Sequence, residues 1–182
     1  MAGTKASATI ADLYRVEGKA EIVNGKLVLM SPTGFLPGRA GYAICNSLRA
    51  YEDATGRGFA IPDNVGIVVD LPNRRSFSPD AAFHVGEPTE GKFLNGAPVF
   101  AAEVRSEEDY GPAAEKRLAA KRADYFAAGT QVVWDVDVLR EGVVRVFNTS
   151  APEEPRVYRR GEIAEAESAL PGWSMPVDAL FE

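Results

Sequence analysis

A single apolar segment with one charge inside it constrains the fold of this chain more than any other feature. Residues 98–105 read Pro-Val-Phe-Ala-Ala-Glu-Val-Arg, and Glu103 interrupts an otherwise apolar run. A strand that is apolar on both faces belongs in a sheet that is covered on both sides. A helix pattern follows over 111–128 and a second apolar strand over 131–138. The sequence therefore predicts a strand–helix–strand unit, which is typical of an α/β protein.

The rest of the chain predicts a mixed sheet with helices packed against it. Asn24-Gly25 lies between two apolar runs over 20–30, which is a strong β-hairpin signal. Further helices are predicted over 7–15 and 39–55, and Ser31–Gly38 is predicted as a loop. Further strands are predicted over 58–61, 65–71, 79–85, 143–148 and 156–160, with 86–96 as a loop and 171–182 as a tail packed through Trp173 and Phe181. Since 182 residues with 46% hydrophobic content suit one core, we expect a single domain over 1–182.

Composition narrows the kinds of site that the chain can carry. There is one cysteine and one histidine, which argues against an internal disulfide and a Cys/His zinc site. A metal site would therefore use oxygen ligands, which suit Mg²⁺, Mn²⁺ or Ca²⁺. The N-terminal segment Met1–Thr9 lacks the apolar stretch of a signal peptide, and no long apolar run predicts a membrane span. We therefore expect a cytoplasmic protein without a membrane partner.

Three charged residues lie where an unpaired charge would be costly. Glu103 lies in the middle of an apolar strand, so it must be paired, hydrogen-bonded or bound to metal. An ion pair with Arg105 or with a base from another strand is the structural alternative. Asp80 follows Pro79 at a strand entrance, where it either serves a site or caps a turn. Lys121 shares an apolar helix stripe with Ala114, Leu118 and Tyr125, so it points towards the sheet or extends its ammonium along an apolar stem.

Asp80, Glu103 and Lys121 together indicate a functional site more strongly than any one of them does alone. Two acids on neighbouring strands and a lysine from the following helix can converge on one point. Two carboxylates can hold a divalent ion that keeps several waters. A lysine ammonium beside them can orient a water molecule and offset negative charge on a phosphoryl group. The combination therefore predicts phosphodiester hydrolysis.

Several short motifs together resemble the Uma-two family of restriction endonucleases, within the PD-(D/E)xK nuclease superfamily. The stretches are Ala20-Glu21-Ile22-Val23-Asn24-Gly25-Lys26-Leu27-Val28, Ser78-Pro79-Asp80-Ala81-Ala82-Phe83, Ala102-Glu103-Val104-Arg105-Ser106, Lys121 with Tyr125-Phe126-Ala127-Ala128-Gly129, and Val133-Trp134-Asp135-Val136-Asp137. Each motif is weak alone, whereas their order over residues 10–150 is fairly specific.

The resemblance implies a restriction-endonuclease-like core and a set of site residues. Asp80 and Glu103 would be the two metal-binding acids, and the carbonyl of Val104 would be a further ligand of Mg²⁺ or Mn²⁺. Lys121 would match the family's lysine on the helix. Glu21 would be a further ligand or an orienting base. The resemblance also implies a metal-dependent endonuclease, with DNA as the expected nucleic-acid substrate, and suggests a homodimer.

Three features of the sequence favour other functions. The superfamily pattern has lysine at position 105, where Arg105 could bind phosphate or pair with Glu103 and disable the site. Gly41 stands where the family often has histidine, and the net charge of −6 opposes strong non-specific binding to nucleic acid. A catalytically lapsed nuclease-fold protein that acts as a binding module is therefore the main alternative. An oligomeric structural protein with an internal Glu103–Arg105 pair is the other.

Overall fold

The N-terminal part of the chain forms a short helix and the predicted hairpin. The structure, a computed structural model, describes residues 7–182. Residues 1–6, which belong to the predicted single domain and to the segment Met1–Thr9 discussed above, lie outside the described residues. Helix α1 (Ile10–Leu13) begins at a capping box that Thr9 and Asp12 form. Strands β1 (Ala20–Val23) and β2 (Lys26–Leu29) pair antiparallel. Asn24 and Gly25 both have positive φ, at 50° and 68°, which confirms the hairpin turn.

The predicted helices and strands occur in their predicted order, with short elements between and after them that the sequence did not predict. The remaining elements are α2 (Phe35–Thr55), β3 (Phe59–Pro62), β4 (Ile67–Val68), β5 (Ser76–Phe77), β6 (Ala81–His84), β7 (Leu94–Asn95), β8 (Phe100–Val104), α3 (Pro112–Ala128), β9 (Val132–Asp137), β10 (Val143–Asn148), β11 (Ala151–Arg159), β12 (Ile163–Glu165), β13 (Ser174–Pro176) and a final 3-10 helix (Val177–Phe181).

The central sheet is mixed, as the sequence predicts. Its six strands lie in the order β11-β10-β9-β8-β6-β3. Only the β8–β9 neighbours are parallel, and α3 connects them. The other neighbours are antiparallel. This arrangement confirms the predicted strand–helix–strand unit and the α/β class with a mixed sheet flanked by helices.

Some predicted boundaries are wrong, and each has a local physical reason. Helix α2 begins at Phe35 rather than at residue 39, since Pro37 falls in the first turn, where proline is tolerated. Strand β11 begins at Ala151 rather than at residue 156, although it contains two prolines. It lies at the edge of the sheet, where a missing amide donor costs little. The predicted strand over 65–71 shortens to β4, and β7 lies inside the predicted loop 86–96, because β4, β5 and β7 form a separate small sheet.

Two cores cover the two faces of the central sheet. On one face, α2 packs on β3, β6 and β8, and the rings of Phe100, Trp134 and Trp173 pack together. The predicted packing of the C-terminal tail through Trp173 is therefore confirmed. On the other face, the ring of Tyr125 from α3 stacks on Phe77, with 4.0 Å between ring centroids. The assignment of 1–182 to one domain stays a prediction. None of the helices that the structure describes combines the length and the apolar character that a bilayer crossing requires.

Candidate functional site

Asp80 and Glu103 lie at the same end of neighbouring strands. Strands β6 and β8 pair with Ala81 opposite Ala102, so Asp80, just before β6, comes beside Glu103 in β8. The side chains of the two acids are 16% and 19% exposed, which leaves both accessible from one side. The structure therefore brings the two predicted acids together.

Val104 is the third predicted metal ligand, and its backbone faces Asp80. Its amide donates a 2.8 Å hydrogen bond to Oδ2 of Asp80. The amide and the carbonyl of one residue point to the same side of a strand. The Val104 carbonyl therefore also points to the Asp80 side of β8, as a further metal ligand would require.

Lys121 points from α3 into the same group, as its helix stripe predicts. Its Nζ lies 2.8 Å from Oε2 of Glu103 and 2.9 Å from Oε1 of Glu21. Burial opposes the charged ammonium, but the Glu103 and Glu21 carboxylates outweigh it and raise the pKa of Lys121 above its ordinary value. Lys121 therefore stays protonated at neutral pH and acts in this site as a fixed positive charge.

Tyr125 also contacts Glu103, a role that the sequence analysis missed. Its hydroxyl donates a 2.6 Å hydrogen bond to Oε1 of Glu103. Both carboxylate oxygens of Glu103 are therefore hydrogen-bonded, one by Lys121 and the other by Tyr125. Burial raises the pKa of Glu103 above its ordinary value, and the charge of Lys121 opposes that rise. The signal for Tyr125 is present in the sequence, because it follows Lys121 by four residues on one helix face.

Glu21 is buried behind Lys121 and is held by three groups. It accepts hydrogen bonds from Arg74 and from the Ser78 amide, the latter at 2.9 Å, besides contacting Lys121. Burial alone would raise the pKa of Glu21, but the charges of Lys121 and Arg74 outweigh it and lower the pKa. These partners occupy both oxygens of Glu21. The geometry favours the orienting role that the family resemblance allows for Glu21 over the role of a metal ligand.

Lys19 is the second site residue that the sequence analysis missed. Its Nζ lies 2.7 Å from Oδ1 of Asp80 and 2.6 Å from Oδ1 of Asp63, which follows β3. Lys19 comes just before β1, where no periodic pattern indicates its direction. Asp80 and Glu103 outweigh the effect of burial and raise the pKa of Lys19 above its ordinary value.

Arg105 does not pair with Glu103. It forms a bidentate pair with Asp135 at 2.6 and 2.7 Å and a second pair with Glu115 at the start of α3. The Arg105 side chain is only 5% exposed. The structural alternative of a Glu103–Arg105 pair is therefore wrong. The predicted phosphate-binding role of Arg105 finds no support in this geometry, because acids and a backbone carbonyl already accept its hydrogen bonds.

The charges of the site suit a divalent cation. Two runs of ion pairs meet at the like charges of Asp80 and Glu103. The runs are Asp63–Lys19–Asp80 and Glu103–Lys121–Glu21–Arg74–Asp124. Five acids against three bases leave a formal charge of −2. Among residues 7–182, no group of three or more His, Cys, Asp and Glu side chains is arranged as a metal cage. An ion would therefore have two acids, a carbonyl and water, which are the oxygen ligands that Mg²⁺ accepts.

A cavity opens beside Asp80 between α2 and β3. Its volume is about 440 Å³, and Gly38, Gly41 and Tyr42 of α2 line one side. Asp63 and Asp80 line the opposite side. A Cβ atom at Gly41 would lie 3.5 Å from the Asp80 carbonyl oxygen, so a larger side chain there would enter this space. Of the two acids Asp80 and Glu103, Asp80 is the one that lines this cavity.

Comparisons with known proteins identify the fold and the family of the chain. The chain resembles a crystal structure from Anabaena variabilis ATCC 29413 that is titled "putative nuclease", with 15% sequence identity and a TM-score of 0.74. The match covers 96% of this chain and 97% of that chain, so the two share one fold. Among curated proteins, none matches the sequence significantly. The model of the Uma2 family, described as "Putative restriction endonuclease", matches residues 10–178. Because this match spans most of its length, the chain belongs to the Uma2 (Uma-two) family.

Proposed function

We propose that this protein is a divalent-metal-dependent endonuclease that hydrolyses phosphodiester bonds in nucleic acid, with DNA as the substrate. The observation that carries the proposal is that Asp80 and Glu103 lie side by side at the end of β6 and β8, with the Lys121 ammonium 2.8 Å from Glu103. Asp80 also lines an open cavity. Membership of a family described as "Putative restriction endonuclease" supports the same class of reaction. Nucleases of this kind require oxygen ligands for a divalent ion and a positive charge near the phosphate.

Asp80, Glu103 and the Val104 carbonyl would hold the metal ion. The ion would supply Lewis-acid stabilisation of the negative charge that develops on a phosphoryl oxygen. Mg²⁺ and Mn²⁺ both suit these oxygen ligands. The Val104 amide fixes the Asp80 carboxylate through its 2.8 Å hydrogen bond, so this ligand is oriented before the ion arrives.

Lys121 supplies positive charge in the site and does not act as the base. Its raised pKa keeps it protonated, so it stabilises negative charge on the substrate and orients a water molecule through its hydrogen bonds. Glu21 and Glu103 hold its ammonium from two sides. We therefore assign Glu21 as a positioning residue for Lys121.

The first test is Mn²⁺ binding by calorimetry on the purified protein, with Asp80→Ala and Glu103→Ala as variants. We expect the parent to bind Mn²⁺ and both folded variants to lose that binding. A nicking assay on supercoiled plasmid DNA with Mg²⁺ or Mn²⁺ then tests hydrolysis. Binding that survives in both variants would place the ion elsewhere, and a folded parent that neither binds Mn²⁺ nor nicks DNA would remove the basis for metal-dependent catalysis.

The second candidate is a nuclease-fold binding module without catalysis. The observation that favours it is that Lys19 and Lys121 already compensate Asp80 and Glu103 internally. A net charge of −6 also weakens non-specific attraction to nucleic acid. This candidate predicts a folded protein that neither binds Mn²⁺ at Asp80 nor nicks DNA, so the same two assays separate it from the nuclease. The proposal of a homodimer is tested separately by sedimentation equilibrium.

A further inference from the structure

Lys19 contacts one of the two carboxylate oxygens of Asp80, the proposed metal ligand. The two oxygens of Asp80 are both engaged: the Val104 amide donates to Oδ2 at 2.8 Å, and the Lys19 ammonium donates to Oδ1 at 2.7 Å. The amide is part of the backbone and stays in place, whereas the ammonium is at the end of a flexible side chain. A divalent ion and an ammonium on one oxygen repel each other. An ion at Asp80 must therefore compete with Lys19.

Asp63 gives Lys19 a second carboxylate at the mouth of the cavity. Its Oδ1 lies 2.6 Å from the Lys19 ammonium, and its side chain is 49% exposed compared with 16% for Asp80. A lysine ammonium has three donors on a stem of four carbons. Lys19 can therefore release Asp80 and keep an ionic partner at Asp63, so its displacement leaves no unpaired buried charge.

We propose that Lys19 is a built-in competitor of the divalent ion at Asp80, and that Asp63 retains its ammonium when the ion binds. The inference rests on the proposed metal site and adds a device that sets the affinity of that site. The ammonium then stays beside the cavity, which Asp63 lines.

A purely structural role for Lys19 predicts the opposite result for one variant. If Lys19 only orients Asp80, then Lys19→Met disorders the ligand and weakens Mn²⁺ binding. If Lys19 competes with the ion, the same variant frees Oδ1 and raises the Mn²⁺ affinity about tenfold, since a hydrogen bond to a charged group is worth about that factor. Lys26→Met is the matched control, because Lys26 is an exposed lysine on β2 and removes the same formal charge away from the site.

Asp63 supplies the second arm of the test. Asp63→Asn leaves Lys19 with Asp80 as its carboxylate partner, so we expect Mn²⁺ affinity to fall about tenfold. Loss of a negative charge near the site would also weaken Mn²⁺ binding directly. The double variant Lys19→Met/Asp63→Asn separates the two causes: if Asp63 acts through Lys19, Asp63→Asn has a much smaller effect in the Lys19→Met background.

The measurement is calorimetric titration with MnCl₂ alone, without nucleic acid, on samples whose folding is checked by circular dichroism. Higher affinity in folded Lys19→Met than in the parent and in Lys26→Met supports the inference. Equal or lower affinity overturns it, and so does an equal effect of Asp63→Asn in both backgrounds. Lys19→Gln, which removes the competing charge without adding a new one, is the second variant if Lys19→Met does not fold.

Failure of the inference can be distinguished from failure of the proposed function. A parent that binds Mn²⁺ through Asp80 and Glu103, with no gain in Lys19→Met, keeps the proposed metal site and rejects competition. If the parent shows no measurable Mn²⁺ binding, that result alone does not test competition, and the Lys19→Met variant provides the test. Binding that appears in Lys19→Met and disappears when Asp80→Ala is added supports competition, whereas no binding in Lys19→Met rejects it.

Discussion

The ammonium nitrogen of Lys121 lies 2.9 Å from Oε1 of Glu21, so a lysine on α3 is held by a buried acid on β1. Removing Lys121 would leave the carboxylates of Glu21 and Glu103 without the cation between them. We expect Lys121→Met to lower the free energy of unfolding by about 3 kcal/mol, measured by urea denaturation, because unpaired buried charges are costly. Lys116→Met is the control on the exposed side of the same helix and should stay within about 0.5 kcal/mol of the parent. Equal effects of the two substitutions would contradict this role of Lys121.

The hydroxyl of Tyr125 can be removed without disturbing its ring. We expect Tyr125→Phe to raise the pKa of Glu103 further, because the hydrogen bond from the Tyr125 hydroxyl stabilises the charged carboxylate and this stabilisation is lost. Carbon-detected NMR titration of the glutamate side chains measures this change. Tyr110→Phe is the matched control, because Tyr110 donates a 2.7 Å hydrogen bond to Asp137 instead. A Glu103 pKa that is the same in Tyr125→Phe and in the parent would count against the contact.

Arg105 should matter for stability and not for the site. Arg105→Met leaves Asp135 buried and unpaired, so we expect a loss of about 3–5 kcal/mol in the free energy of unfolding. Adding Asp135→Asn should restore part of that loss, because it removes the orphaned charge. Mn²⁺ affinity per folded molecule should match that of the parent. A fall of Mn²⁺ affinity or of plasmid nicking in folded Arg105→Met/Asp135→Asn would show that Arg105 contributes to the site.

Gly41 should control access to Asp80. A Cβ atom at Gly41 would lie at an ordinary contact distance of 3.5 Å from the Asp80 carbonyl oxygen, so Gly41→Ala should stabilise α2 by about 1 kcal/mol through helix propensity. Gly41→Leu should fill the cavity and slow plasmid nicking on the order of 100-fold, because displaced substrates react slowly. Mn²⁺ affinity should be the same in both variants and the parent. Undiminished nicking by Gly41→Leu would show that the substrate reaches Asp80 by another path.

His84 should make the stability of the protein depend on pH. It is buried, and in the described part of the chain neither of its ring nitrogens has a hydrogen-bond partner. Burial lowers the pKa of His84 below its ordinary value of 6.5, so the unfolded state takes up a proton more readily. The contribution of His84 is therefore complete above pH 6.5 and is lost as the pH falls towards the lower pKa of the folded state.

The variant His84→Leu isolates this contribution, because the chain has a single histidine. The free energy of unfolding should fall less in His84→Leu than in the parent between pH 7 and pH 5, as measured by urea denaturation at fixed ionic strength. Parallel pH profiles for the two proteins would show that His84 is accessible to protons in the folded state.

The elements that could be predicted from the sequence are those in which a local pattern, such as the spacing of apolar residues or a turn dipeptide, is present along the whole element. The β8–α3–β9 unit, the hairpin turn at Asn24-Gly25 and the inward face of α3 all depend on local spacing, so they could be predicted. Lys121 was found because it lies on that inward face. Short strands such as β4 and β7 depend on pairing between distant segments, which no local pattern encodes.

The remaining site residues required the three-dimensional arrangement. Lys19 follows a bend in the chain, and Asp63 follows a short strand, so neither lies on a periodic face. Arg105 shares a strand face with Glu103 by alternation, but β9 brings Asp135 closer to it. Proximity in sequence therefore predicted the wrong partner for Arg105, because a neighbouring strand supplied a buried acid with bidentate geometry.

The packing of Trp134 against Trp173 gives the protein an internal reporter. These are the two tryptophans of the chain, their rings are 5.0 Å apart, and they lie on the face of the sheet opposite Lys121 and Tyr125. All of the tryptophan fluorescence therefore arises from one location that the candidate site does not touch. The emission spectrum reports whether the sheet and the C-terminal tail are assembled. A substitution at Asp80, Glu103 or Lys19 that leaves this emission unchanged has altered the site without unfolding the chain around it.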